Sequence, residues 1–121
     1  MCNNSMTVTY EDVVKARQTQ NKVIRKTNLE FSETFSKICG ANVYLKNEYE
    51  QKTGSFKIRG AYSKIKSLTD SEKSKGVVAA SAGNHSQGVA FASHIENIPC
   101  TIVMPKTASP AKVSATRGYG A

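Results

Sequence analysis

The chain has no tryptophan, few acidic residues, and cysteines too sparse and scattered to form a framework. Cys2, Cys39 and Cys100 are odd in number, far apart and form no C-x-x-C pair. That excludes a disulfide scaffold and a structural zinc site, and no other metal-ligand cluster is visible. Cys39, next to Gly40 at an expected helix end, and Cys100, in an expected strand, read as small buried apolar residues. No apolar run approaches the ~20 residues that cross a bilayer, so no membrane partner is expected. The opening "MCNNSMTVTYED" lacks a basic segment followed by an apolar core, so no signal peptide is expected and the cytoplasm is the expected compartment. With hydrophobic residues at 39% and charged ones at 21%, the composition is that of a folded domain and not of a disordered tail.

What is abundant is positive charge: 17 Lys and Arg against 9 Asp and Glu give a net charge of +8. Those cations are spread from Lys15 to Arg117 and do not gather in one run. No recognition-helix, zinc-finger or ribonucleoprotein pattern accompanies them. A solvated basic surface is therefore expected, and no nucleic-acid partner. The remaining alternative outside catalysis is a basic α/β module that binds anions or nucleic acid.

Hydrophobic spacing and turn residues divide the chain. Thr9 is a candidate N-cap with Glu11 and Asp12 in the first turn, and Val13, Val14, Arg17, Val23 and Ile24 fit a helix of about four turns. Asn28–Ser32 reads as a short extended piece. Ser32 is placed to cap a brief helix through Phe35 and Ile38, closed at Gly40. Asn42–Tyr49 alternates as a half-exposed strand does. A helix is expected from Phe56 to about Leu68, followed by a polar turn, "TDSEKSKG". Then "GVVAAS" and "CTIVMP" read as buried parallel strands. Between them lies a helix with Val89, Ala92 and Ser93 on its packed side. After them, Ser109 and Pro110 mark a further helix start. Strand, helix, strand, helix predicts α/β architecture: an open parallel sheet with flanking helices. Two parallel strands are few for such a sheet, so the unit is expected to be incomplete.

Two glycine-containing turns carry chemistry. In "SAGNHSQG" a strand runs through Ser81, Ala82 and Gly83 into a helix beginning near Asn84 and His85. Backbone N–H groups at a helix N-terminus form an anion site, suited to a carboxylate or phosphate. Asn84 adds an amide with both donor and acceptor. Neither GxGxxG nor GxxxxGK[ST] is present, so no dinucleotide or nucleotide loop is indicated. In "KTGSFKIRGA", Lys57 falls in the first helical turn, where the helix dipole disfavours a cation. Partial burial beside Phe56 would add to that effect and favour a neutral, nucleophilic amine, the form that condenses with an aldehyde cofactor. Gly60, one turn on, would leave room beside the lysine stem. Read alone, each stretch is also compatible with an ordinary capped helix in an α/β unit.

Taken together, "KTGSFKIRGA" and "SAGNHSQGVA" resemble the lysine motif and substrate loop of fold-type II pyridoxal-phosphate enzymes, most closely the threonine/serine dehydratases. The similarity runs on through "ETFSKICGANVYLKNEYEQ", "GVVAASAGNHSQGVAFA" and "TIVMPKTASPAKVSATRGYGA", nearly all of the chain from about Lys26. The resemblance implies a tryptophan-synthase-β-like fold, here in part. Residues 1–68 would belong to the large cofactor domain and residues 69–121 would begin the small domain. It implies pyridoxal 5′-phosphate as cofactor, with Lys57 holding it as a Schiff base and later removing the substrate α-proton. Phe56 would pack on the pyridine ring and Asn84 would bond its phenolic oxygen. Ser81, Ala82, Gly83, Asn84 and His85 would clasp the carboxylate of an amino-acid substrate. His94 is assigned no role.

The same comparison separates sub-branches. Sulfhydrylases and threonine synthases of the family carry Asp after the lysine, where this chain has Ile58. Serine racemases place a catalytic serine before the loop glycine, where this chain has Ala82, which favours the dehydratase. Asn28 in "KTNL" stands where dehydratases usually have proline, a local loss of rigidity. The implied reaction is β-elimination of L-threonine or L-serine to a 2-oxo acid and ammonia, in amino-acid metabolism that includes isoleucine biosynthesis. The implied full-length protein is a homo-oligomer. No glycine-rich phosphate loop occurs in these residues, so they are expected to be inactive alone. Serine racemase, or another β-eliminating enzyme, is the alternative within the family.

Overall fold

The computed structural model describes residues 7–20 and 22–121; Cys2 and the first residues of the N-terminal stretch lie outside them. Helix α1 spans Tyr10–Gln20. Thr9 caps it as expected: the Asp12 N–H donates to Thr9 Oγ1 at 3.3 Å, and the Asp12 carboxylate accepts the Thr9 N–H at 2.9 Å. That second bond chiefly holds the Asp12 carboxyl below its ordinary value. The helix does not continue through Val23 and Ile24. Their N–H groups both turn back to the Gln20 carbonyl, at 2.9 and 3.0 Å, and their side chains leave α1 to pack against the core. No residue of α1 is itself buried, so nothing on that helix draws the axis onward.

Strands β1 (Leu29–Phe31) and β2 (Tyr44–Lys46) pair antiparallel, with Phe31 opposite Tyr44 and their rings edge-on at 5.5 Å. The strand expected over 42–49 is shorter because Glu48–Glu50 coils into a 3-10 turn. Between the strands, α2 (Glu33–Cys39) is capped by Ser32, whose hydroxyl accepts the Phe35 N–H at 3.3 Å. Gly40 ends it at φ 64°, the left-handed conformation that glycine adopts without a Cβ clash. Cys39 is exposed, not buried as expected, because α2 turns no residue into the core.

Helix α3 (Lys57–Lys66) presents Ile58, Ala61, Tyr62 and Ile65 as one buried stripe. The expected polar turn after it is a short helix, α4 (Asp70–Ser74), made by a Thr69–Glu72 capping box. Strands β3 (Val77–Ala80) and β4 (Cys100–Val103) pair in parallel register, Val77 with Cys100 through Ala80 with Val103. Helix α5 (Asn84–Ile95) crosses between them, and α6 (Pro110–Gly118) follows. Pro110 does open α6, but the Ser109 hydroxyl makes no cap bond.

The core forms where α3 lies on α5: Ile58, Ala61, Tyr62 and Ile65 meet Val89, Ala92 and Ile98. Val77, Ala79, Cys100 and Ile102 add the inner face of the parallel pair. Burial pushes the half-buried Cys100 thiol above its ordinary value. The outer face is open, with Val78 at 75% and Val103 at 54% exposure. The expectation of buried strands therefore fails on the outer face and is met only by half-burial on the inner one. The α/β class and the parallel pair are as expected; the antiparallel pair is an addition.

Candidate active site

The loop before Lys57 is built from buried polar groups. Gln51 is 2% exposed, and its carbonyl accepts the Arg25 and Lys52 N–H groups at 3.0 Å each while its amide donates to the Arg25 carbonyl at 2.8 Å. Thr53 then adopts φ 66°, a left-handed conformation that costs a non-glycine residue about 1 kcal/mol or more. Ser55 returns to extended backbone and Phe56 sits at the cap position of α3 with no side-chain cap bond. The Asn47 Nδ2, Thr53 Oγ1 and Ser55 Oγ atoms are buried in this turn without a partner among the described residues.

Lys57 therefore opens α3 at its positive end, as the sequence predicts. It is exposed, however, and Phe56 is 56% exposed, so the expected partial burial is absent. Phe56 lies beside the lysine with its ring centroid 4.8 Å from Nζ. Two residues on, Arg59 anchors the same end of α3. Its guanidinium donates to both Glu48 oxygens at 2.7 and 2.8 Å, and Thr27 Oγ1 donates to the same carboxylate at 2.6 Å. Arg59 holds the Glu48 carboxyl below its ordinary value and is itself pushed up.

The second turn leaves the sheet at Ser81, whose N–H still reaches the Val103 carbonyl at 3.1 Å. The Gly83 N–H folds back to Ser81 Oγ at 3.3 Å. That engages one of the amides expected to be free for a substrate carboxylate. Asn84 and His85 open α5, both exposed, while Ser81, Ala82 and Gly83 are half-buried. No side chain caps α5, whereas Thr9, Ser32 and Thr69 cap α1, α2 and α4. An uncapped N-terminus at the carboxyl end of a parallel strand leaves its first N–H groups for an anionic ligand.

Gly88 joins the two turns. A methyl group built there would stand 3.2 Å from the Lys57 carbonyl carbon and the Ile58 nitrogen, so α5 touches the first peptide of α3. Gly88 lies about 6 Å along the helix from Asn84, which puts the lysine and the 81–85 loop at one end of the same helix pair. This glycine had no assigned role in the sequence; its only signal was a helical glycine one turn after the loop. Gly60, which had been assigned one, faces open space.

Three further residues were not foreseen: Ser86, Lys112 and Thr116. Ser86 is fully buried and its hydroxyl donates to the Gly83 carbonyl at 2.6 Å while lying 3.2 Å from Thr116 Oγ1. Lys112 Nζ donates to Asn84 Oδ1 at 2.7 Å. A serine three residues after the loop glycine, one helical turn on, was the available signal for the first. Nothing in the sequence told which face of α6 meets α5.

A family model described as "Pyridoxal-phosphate dependent enzyme" matches residues 21–121. The chain belongs to this family. It is 53% identical over 94% of its length to the L-threonine ammonia-lyase of Thermotoga maritima, covering 28% of that protein. To the Escherichia coli protein named L-threonine dehydratase catabolic TdcB it is 49% identical over 94% of its length, covering 35%. The solved structure of a serine racemase from Dictyostelium discoideum superposes with a TM-score of 0.88 at 43% identity, over 94% of this chain and 38% of that one. The chain thus spans about a third of the length of these relatives.

The donor set fits the group this family is named for. A primary amine suits an aldehyde, the uncapped α5 N-terminus suits a carboxylate or phosphate, and Asn84 has its amide N–H groups left for an oxygen acceptor.

Proposed function

We propose that the protein carrying this chain is a pyridoxal-phosphate dependent threonine/serine ammonia-lyase. The observation that carries the reading is the contact of Gly88 with the Lys57 peptide, which holds one amine and the uncapped N-termini of α3 and α5 at the same end of two packed helices. The identity to relatives named threonine ammonia-lyase and threonine dehydratase supports it.

When bound, the cofactor supplies an aldehyde to take up the substrate amine and a conjugated ring that makes the α-proton acidic. Lys57 would hold the cofactor through Nζ, and the same amine, when free, would accept the substrate α-proton. Phe56 would pack against the ring, and Asn84 would donate to its phenolic oxygen. Ser81, Ala82, Gly83, Asn84 and His85 shape the loop around the substrate carboxylate, and with the Ser81 and Gly83 N–H groups bonded within the chain, the amides at Ala82, Asn84 and His85 are the ones that would bind it. Loss of the β-hydroxyl as water, followed by uptake of one water in hydrolysis, converts threonine to 2-oxobutanoate and ammonia, or serine to pyruvate and ammonia. Residues 1–68 are assigned to the cofactor domain and 69–121 to the start of a second domain, in a cytoplasmic homo-oligomer. Relatives named catabolic favour amino-acid breakdown over isoleucine synthesis as the destination of the product.

Serine racemase is the second reading, favoured by the superposition on such an enzyme. Ala82 weighs against it, because a methyl group cannot reprotonate the opposite face of the substrate.

The test is borohydride reduction of the whole protein after addition of pyridoxal phosphate, with peptide mass spectrometry and assay of threonine and serine products. Label on Lys57, 2-oxobutanoate from threonine and no D-serine from L-serine are expected. Label confined to other lysines, or full activity in Lys57→Ala, would sink the reading; abundant D-serine would move it to the racemase.

A further inference from the structure

Helix α6 grips the start of α5 at two points. Lys112 and Thr116 are four residues apart and so share one face. Ser86 spends its proton on the Gly83 carbonyl, so it accepts from Thr116, which is 3% exposed. This buried relay fixes the loop backbone. Lys112 fixes something else: the Asn84 side chain, at 2.7 Å.

A carboxamide has one acceptor oxygen and one NH2 group with two donors, and rotation by half a turn about its last bond exchanges them. An ammonium has donors only. Beside Lys112, Asn84 must turn Oδ1 toward α6, which leaves Nδ2 on the opposite edge of the amide. From this geometry we infer that Lys112 is a positioning residue that makes Asn84 a hydrogen-bond donor at the active site. The inference rests on the proposed function, in which Asn84 meets the cofactor's phenolic oxygen.

An anionic acceptor is bound by a donor edge and repelled by a carbonyl edge, so the charge at residue 112 decides what Asn84 offers. Arginine, also a pure donor, preserves the orientation. Methionine, of similar length and without a polar hydrogen, releases the amide to rotate.

The test compares Lys112→Met and Lys112→Arg, each in the wild-type and Asn84→Ala backgrounds of the whole protein. The readouts are the equilibrium affinity for pyridoxal phosphate, the pH titration of the bound cofactor's absorbance, and the NMR resonance of the Asn84 side-chain amide without cofactor. Lys112→Met is expected to weaken cofactor binding about tenfold. It should also move the titration to higher pH, since a donor favours the deprotonated phenolic oxygen. The Asn84 amide resonance should shift in the same variant. Lys112→Arg should keep all three near wild type, and Lys112→Met should add nothing once Asn84 is alanine.

Unchanged affinity and titration in Lys112→Met, or an effect that persists undiminished in Asn84→Ala, would overturn the inference. An Asn84 amide resonance indifferent to Lys112→Met overturns it with or without cofactor. Failure of the wild-type protein to take up pyridoxal phosphate at all overturns the proposed function instead, and the amide resonance then decides the Lys112–Asn84 orientation by itself.

Discussion

Gly88 rests its bare α-carbon on the peptide joining Lys57 to Ile58, the first peptide of α3. A Cβ there would be 3.2 Å from two backbone atoms and 3.3 Å from the Lys57 oxygen. That peptide has little freedom to give way, with Ile58 fully buried on one side and Arg59 tied to Glu48 on the other. Gly88→Ala is therefore expected to destabilise. Overpacking costs about 1–3 kcal/mol, against the ~1 kcal/mol that alanine gains in a helix. Denaturant unfolding of the variant should show the loss, and pyridoxal-phosphate uptake should weaken with it.

Gly60→Ala is the opposite case. Gly60 lies inside α3 with nothing within 4 Å of a built Cβ. Alanine should stabilise the helix by about 0.5–1 kcal/mol, read as a raised melting temperature. A fall in stability, or a loss of cofactor uptake at unchanged stability, would show that Gly60 serves the lysine after all.

Glu48 should impart an acid-side pH dependence. The Arg59 hydrogen bond, then that from Thr27, holds its carboxyl below 4.5 in the folded chain. Its contribution is thus complete above the unfolded value and is lost as pH falls through the lower folded value. Glu48→Gln is expected to cost about 1–2 kcal/mol at neutral pH, with wild type and variant converging as pH falls below 4.5 and through the lower folded value. A constant gap across that range would mean that the charge is not what matters.

Tyr62 predicts the alkaline limb. It is 4% exposed, and its hydroxyl donates to Glu96 Oε1 at 2.8 Å. Burial first, and then Glu96, raise the phenol above 10.0, so the folded chain favours the protonated form. That stability is present below the unfolded value and fades as pH rises through the folded one. Tyr62→Phe should cost about 0.5–1.5 kcal/mol at neutral pH and flatten the decline above about pH 10, seen in melting temperatures.

Local order was legible along most of the chain. The Thr9, Ser32 and Gly40 helix boundaries, the parallel strands, the packed side of α5 and the positions of the two glycine-containing turns could all be read from spacing and turn chemistry. Each depends on neighbours within one turn of helix or one strand. Even α4 has a local signal, since Thr69 and Glu72 stand three residues apart in the capping-box pattern, but without an apolar stripe the stretch reads equally as a polar turn.

The sequence by itself determined the α/β order, the lysine at a helix start and the glycine-containing turn after a parallel strand, and membership of a family by its motifs. Tertiary structure alone decided that Lys57 is exposed, that Gly88 is a glycine of close approach, and that Lys112 and Thr116 hold the loop. The reason is physical. Capping and periodicity act between residues a few positions apart, whereas burial and orientation depend on which helix faces which across the core. Those partners lie some thirty residues apart in this chain, as Ser86 does from Thr116.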